Sequence, residues 1–486
     1  MSPPSEAPSD SPDGQEPEAS EDERTADDVT VVDPRSLKRT VAAAAIGNGV
    51  EWYDYGVYGF LAVTLGQVFF APGDPTGQLL ATFGAFAAAL AMRPLGGVVF
   101  GALGDRVGRQ TTLATTMILM AAATFAIGLL PSYATFGIGA SILLFVFRLI
   151  QGFSTGGEYG GAMTFVAEHA PDKRRGFLTS WLEFGTLGGF VLGSGIVTAL
   201  TFFMPPEAFL SWGWRIPFLI GGPLGVIGLY LRLKLSETPA FEQSQRSDKE
   251  EGEDEGEEKQ PQSVGSQLKD TVVGQTRPLT ICVGLVIAFN VTDYMLLTYM
   301  PTYLNEELRF DPTLGLLIVL VVMVAMMGLT VVVGRLSDRI GRRRIIMAGS
   351  IGFLVLSVPG FLIIQALSIP AIFGGVLMLG LLLVCFTGTM PATLPALFPT
   401  RIRYAGLSIG FNVAVSLFGG TTPLIVTGLI AATGNLLMPA YYLMFAALCG
   451  GVAVLAMGET ARRSLKGSAP IVESEEEARE LTAGRA

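Results

Sequence analysis

The chain has 486 residues, half of them apolar and only 15% charged. Soluble globular proteins carry roughly 25% charged residues, so the composition points to a membrane protein and away from a soluble enzyme or nucleic-acid binder. The net charge of −10 is concentrated in the tails and one central loop, and Cys282, Cys385 and Cys449 fall inside apolar runs at unrelated spacings, as packing residues do.

In chain order, residues 1–36 are acidic and rich in Ser and Pro, with no basic start or early apolar run. They read as a disordered tail rather than a signal peptide. Apolar runs long enough to cross a bilayer, about 20 residues each, follow at 41–66, 77–103, 111–130, 138–168, 177–202 and 214–233. The acid-rich segment 234–277 cannot bury itself and reads as a solvated linker. Six more runs come at 278–304, 313–336, 344–366, 370–398, 404–431 and 438–457. The expectation is an all-α membrane protein of twelve transmembrane helices in two six-helix bundles, 37–233 and 278–457, with a tail at 458–486. With the N-terminus placed inside, the 32 Lys and Arg lie in tails or inner loops, apart from Arg93, Arg148, Arg215 and Arg309. The positive-inside rule then puts both termini in the cytoplasm.

Two phrases repeat. Gly101-Ala-Leu-Gly-Asp105-Arg106-Val-Gly108-Arg109 recurs as Gly334-Arg335-Leu-Ser-Asp338-Arg339-Ile-Gly341-Arg342. Pro171-Asp-Lys-Arg-Arg-Gly176 recurs as Pro399-Thr-Arg-Ile-Arg-Tyr-Ala-Gly406. Both pairs fall on inner loops at nearly the same offset, so the chain is two related halves, as transporters with a site between repeats often are. There is no G-x-x-x-x-G-K-[ST] phosphate loop, no H-E-x-x-H and no paired C-x-x-C, so neither ATP hydrolysis by that route nor a metal site is expected. The one histidine, His169, sits at the inner end of span four and reads as an interfacial residue, which leaves proton handling to carboxylates.

Charges inside a span are costly and by default functional. Asn48, Glu51, Asp54/Tyr55 and Tyr58 share one helical face, and Arg148, Gln151, Thr155 and Glu158 form a second stripe on span four. At about 1.5 Å per residue, Glu51, Arg93 and Glu158 come to one depth, and Asp54 and Arg148 to a layer where they could meet. Trp52, Tyr55 and Tyr58 surround these carboxylates. Aromatic faces attract quaternary ammonium groups, so rings, acids and Arg148 could hold the two ends of a zwitterion. Asp293 and Glu183 are further acids within the spans, either of which could lie near an interface. The glycines at 185, 188, 189, 193 and 195 suit close helix approach at a moving interface.

These residues resemble the major facilitator superfamily. Its inner-loop motif is matched by Gly101, Gly104, Asp105, Arg106, Gly108 and Arg109. Within it, Asn48 to Gly59, Arg93-Pro-Leu-Gly-Gly97, Gln151 to Tyr159 and Trp212-Gly-Trp-Arg-Ile-Pro217 resemble the metabolite:proton symporter family. Asn290 to Pro301, Thr393 to Pro399 and Met438 to Met444 are similar to the osmoregulatory proline/glycine-betaine:proton symporters. The resemblance implies alternating access in an inner membrane, with a conformational latch at Gly101, Asp105, Arg106, Gly108, Arg109, Asp338, Arg339 and Arg342. It also implies substrate and proton roles for Glu51, Trp52, Asp54, Tyr55, Tyr58, Arg93, Arg148, Gln151, Glu158 and Asp293. Two departures stand out: Asp293 takes the place of an uncharged aromatic, and the tail after Gly467 has no heptads for a coiled coil. The expected activity is secondary active, proton-coupled uptake of a zwitterionic compatible solute, with an organic acid as the alternative substrate. No cofactor is expected beyond the proton gradient, and the partners are solute, protons and the bilayer. A non-transporting membrane sensor would need an ordered signalling domain that no segment supplies.

Overall fold

The computed structural model describes residues 29–107, 109–233 and 274–483. Among them, nine helices are long and apolar enough to cross a membrane, and Ala114–Leu129 and Arg215–Tyr230 are shorter apolar helices. The helix Pro34–Phe60 completes the twelve. It is less apolar than the others because Lys38, Arg39, Glu51 and Asp54 ride on it, although its outer half is buried on all sides.

Local chemistry sets where several spans begin. Asp33-Pro34, Asp74-Pro75 and Asp311-Pro312 each place a capping carboxylate before a proline whose missing N–H costs nothing at a helix start. Asp33 accepts the N–H groups of Arg35 and Ser36 at 3.1 and 3.0 Å, and Asp311 that of Leu314 at 2.8 Å.

Several spans are interrupted. Span two breaks at Met92 between Pro75–Ala91 and Arg93–Val107, and span four between Ile138–Ser154 and Glu158–His169. These breaks face each other at backbone-to-backbone distance. A Cβ on Gly152 would lie 1.7 Å from the Ala89 carbonyl oxygen, and one on Gly156 2.0 Å from that of Arg93. Span seven passes from Thr276–Asp293 into a π-helical stretch, Tyr294–Tyr299. π-Helical turns are enriched at functional sites.

The halves meet along span five, Arg175–Phe203, and span eight, Pro312–Ile340. The chain ends lie together: Thr30–Val31 pairs in parallel with Ile471–Val472. We call this the terminal end and its opposite the far end. At the far end span one meets span seven, where a Cβ on Gly59 would reach within 2.4 Å of the Thr298 methyl. The spans are therefore closed against each other at both ends.

Two expectations change. Thr30–Val31 and the helix from Pro34 are ordered within the stretch read as disordered to residue 36, of which 1–28 lies outside the described residues, as does 234–273 of the linker. The tail carries the strand Ile471–Val472 and the helix Glu475–Ala483. The span-five glycines do not serve the moving boundary as a group. Gly185 and Gly189 would place a Cβ 2.0 and 2.2 Å from the carbonyl oxygens of Ala45 and Gly49 on span one, so they close two helices within one half.

Candidate functional site

The polar faces of spans one and four converge with span two and span three in the middle of the first half. Arg93 donates from Nη2 to Glu51 Oε1 at 3.4 Å and to the Thr155 carbonyl at 3.5 Å. Both partners of this ion pair are almost completely buried. Glu158 accepts from the Thr116 hydroxyl and lies close enough to Arg93 to act on it electrostatically. Glu51, Arg93 and Glu158 thus form the common layer that helical rise suggested.

The layer above it is wired differently from the expectation. Asp54 and Arg148 do not form an ion pair. Asp54 Oδ2 accepts from Thr124 Oγ1 at 2.6 Å, and that hydroxyl accepts from Gln151 Nε2 at 2.6 Å. Gln151 Oε1 in turn accepts from Arg148 Nη1 at 2.8 Å. The acid and the guanidinium are joined through an amide and a hydroxyl because Gln151, one turn from Arg148, fills the space between them. Thr124 is the link that sequence reading missed; a lone threonine in an apolar span carries no signal.

Aromatic rings enclose the guanidinium. Arg148 Cζ stands 4.0 Å from the Tyr58 ring centroid, 5.3 Å from that of Phe86 and 5.6 Å from that of Tyr55. Cation–π contacts of this kind stabilise a desolvated cation by about 2 kcal/mol. The phenols are fixed in turn: Tyr55 hydroxyl pairs with Thr155 at 2.8 Å, and Tyr58 donates to the Thr82 carbonyl at 3.0 Å. Nε and Nη2 of Arg148, and Nε and Nη1 of Arg93, are buried without a hydrogen-bond partner. Buried polar atoms are nearly always satisfied, so such donors call for an explanation.

Trp52 is the hub of a second ring cluster that reaches both halves. Its centroid lies 5.7 Å from Tyr55 and from Tyr159, 5.8 Å from Phe190, and 6.1 Å from Tyr294 of the second half. Phe411 of the second half lies tilted against Tyr159, with ring centroids 4.8 Å apart. Trp52 Nε1, the Tyr294 hydroxyl and Asp293 Oδ1 are also buried and unpartnered. Asp293 sits where span seven turns π-helical and acts electrostatically on Glu183 of span five, whose Oε1 accepts from the Tyr159 hydroxyl. Tyr159, Phe190, Tyr294 and Phe411 were not singled out from the sequence, where an isolated ring in an apolar run reads as packing.

The residues expected to form a latch separate into two groups. Gly101, Asp105, Arg106, Gly108 and Arg109 fall where side chains lie outside the described residues. In the second copy, Asp338 accepts the N–H groups of Gly176 and Phe177, both at 2.8 Å. A carboxylate of one half thus caps the start of span five in the other, where helix N–H groups lack internal partners. Arg342 is fully buried and donates to Asp338 at 3.4 Å and to the carbonyls of Ala392 and Thr460 at 3.2 Å. Arg339 is exposed and joins none of these bonds. The second repeated phrase contributes Arg175 and Arg403, both buried. Arg403 pairs with Glu168 of the other half at 2.6 Å.

Among the described residues no group of three or more His, Cys, Asp or Glu could hold a metal ion. The sequence pattern of sugar (and other) transporters matches residues 40–471. The chain is 49% identical over 458 residues to the proline/betaine transporter of Salmonella typhimurium, covering 94% of this chain and 90% of that one. It is also 49% identical over 455 residues to the glycine betaine/proline/ectoine/pipecolic acid transporter of Dickeya dadantii, with 94% and 90% covered. Its fold matches the solved proton:xylose symporter of the major facilitator superfamily with a TM-score of 0.70 at 19% identity, over 89% of this chain and 98% of that one. The chain belongs to the sugar (and other) transporter family and is a multi-pass membrane transporter with the major facilitator fold.

Proposed function

We propose that this protein is a secondary active symporter that imports a zwitterionic compatible solute, proline or glycine betaine, together with protons. The observation that carries this reading is the central layer of unpartnered donors beside an aromatic cluster, in a chain half identical to transporters named for those solutes. Arg148 has one nitrogen held by Gln151 and two free, an arrangement suited to a substrate carboxylate taken by two parallel bonds. Trp52, Tyr55, Tyr159 and Tyr294 offer ring faces to the ammonium end, and Asp293 adds a negative charge on the side of the second half. A solute bridging Arg148 and this cluster contacts both halves at once, which couples its binding to their closure.

Asp54 is the proton carrier in this reading, with Glu51 and Glu158 as the deeper carboxylates on the path. Asp54 is linked to Arg148 through Thr124 and Gln151, so a substrate carboxylate arriving at Arg148 rearranges the same chain of bonds that holds Asp54. The terminal end faces the cytoplasm of an inner membrane, consistent with its basic loops. No cofactor is needed: a proton moving down about 100 mV supplies roughly 2.3 kcal/mol. Asp338 and Arg342, with the first-half copy of their motif, latch the terminal end.

Uptake of labelled betaine and of a dicarboxylate into proteoliposomes, with and without an imposed proton gradient, tests the reading. Accumulation of betaine that a protonophore abolishes is expected. Dicarboxylate accumulation without betaine uptake would overturn the substrate, and uptake indifferent to the protonophore would overturn the coupling.

A further inference from the structure

The segment after span twelve crosses the terminal end of the molecule and is fastened on both sides of the boundary between the halves. On the second half, Glu459 Oε1 accepts the N–H of Arg342 at 3.0 Å and Oε2 that of Arg343 at 3.3 Å, capping span nine. Arg342 donates to the Thr460 carbonyl and Arg403 to that of Lys466, at 3.2 and 2.9 Å. On the first half, Arg175 donates to the Arg463 carbonyl at 2.8 Å. Arg175 and Arg403 are repeat equivalents, so each half extends the same buried arginine to the same short stretch of tail.

Ser468 still pairs with Thr400 of the second half at 2.7 Å, and beyond it the hydrogen bonds and ion pairs of the strand and of Glu473 and Glu477 are with the first half. Ile471 and Val472 are buried and pair in register with Thr30 and Val31, just before span one. Arg174 meets Glu473 at 2.8 Å and Lys173 meets Glu477 at 2.6 Å. Lys173, Arg174, Phe177, Glu473 and Glu477, with Arg335 and Arg339 of the second half, line an open pocket of about 310 Å³ that reaches Asp338, the carboxylate that caps span five. The tail therefore begins on one half, ends on the other and roofs the latch between them.

We propose that this C-terminal segment is an intramolecular strap: it holds the terminal end shut, and residues 471–483 must leave the first half before that end opens. The strap rests on the alternating access proposed above. Exposed ion pairs contribute little individually, so the seat of Ile471 and Val472 on Thr30–Val31 supplies the grip, and Glu473 and Glu477 fix its register. Because the ladder is only two residues long, it can release and re-form without disturbing either bundle.

Two variants of the full-length protein test this. Truncation after Ser468 keeps the contacts of Glu459, Thr460, Arg463 and Lys466 and removes strand and helix. With Cys282→Ala, Cys385→Ala and Cys449→Ala as background, spin labels at the exposed positions Ser36 and Arg344, one in each half, report the opening of the terminal end. Truncation should increase the long-distance population several-fold; an unchanged distance distribution overturns the strap. In the same background, Val31→Cys with Val472→Cys joins register partners. Oxidised, this pair should slow betaine exchange several-fold and reduction should restore it, whereas equal exchange in both states also overturns the proposal. The distance measurement needs no transported substrate, so failure of the strap is distinguishable from failure of the symport reading.

Discussion

The middle of the first half and the terminal end both bury arginines and carboxylates, but they satisfy them to different extents. At the terminal end the long-range bonds of Asp338, Arg175 and Arg403 go to a helix N–H, a tail carbonyl or an acid of the other half, and Arg342 leaves a single nitrogen, Nε, without a partner. In the middle, Arg93 and Arg148 keep buried donors with no protein partner and lean on aromatic faces instead. A saturated buried charge holds a shape. An unsaturated one keeps hydrogen-bonding capacity, because desolvating a donor without replacing its hydrogen bond costs about 1–3 kcal/mol. On the proposed reading, the contrast fits gating at one region and substrate binding at the other.

The sharpest way to break that assignment is Asp54→Asn. If the middle layer carries the proton, uphill accumulation should vanish while exchange down a gradient persists. The loss at about 100 mV is roughly 50-fold in solute ratio, read as labelled betaine in proteoliposomes. Persistent uphill uptake would move the proton to another carboxylate. Next comes Gly176→Ala at the terminal end. A Cβ there would meet Ser337 Oγ at 2.5 Å, Asp338 Oδ1 at 2.6 Å and the Gly334 carbonyl oxygen at 2.7 Å. Overpacking of this kind costs about 1–3 kcal/mol, so the closed terminal end should lose population roughly 5- to 150-fold, measured by interhelical distances, with solute affinity of the closed site little changed.

Arg148→Lys sharpens the substrate side. It keeps the charge but removes the planar fork and its stacking on Tyr58. At about 0.5–2 kcal/mol, KM should rise roughly 2- to 30-fold with little change in folding stability; an unchanged KM would place the carboxylate elsewhere. Glu459→Gln should have the smallest effect. Burial alone would raise the pKa of Glu459, but the N–H groups of Ala461, Arg342, Thr460 and Arg343 together hold it below the usual glutamate value. Its charged form therefore stabilises the fold above the ordinary glutamate pKa, and that contribution fades as pH falls through the depressed value. The variant should cost about 1 kcal/mol near neutral pH and nothing at strongly acidic pH, seen as a difference in melting temperature that closes on acidification.

Much of the architecture was legible in the chain. Apolar runs of bilayer length and Asp-Pro caps mark where most spans lie, and two repeated phrases mark the halves. Helical spacing was enough to put Glu51, Asp54, Arg148 and Gln151 on interior faces, because a charge in a span has nowhere else to go. Spacing could not say which charges pair. Asp54 and Arg148 were expected to meet, yet Gln151 and Thr124 stand between them, since partner choice depends on side-chain volumes from three helices. The glycine-rich face of span five was legible as a close contact, but which helix it closes on was not.

The sequence by itself determined a twelve-span protein in two halves, with its charges stored on spans one, two and four, because hydrophobicity, period and repetition are local properties. Only the tertiary structure decided how those charges are connected, that rings from both halves surround Trp52, and that the tail returns to strap the termini together. Each of these depends on groups far apart in the chain, and no local pattern records which distant backbone carbonyl or ring a buried side chain will find.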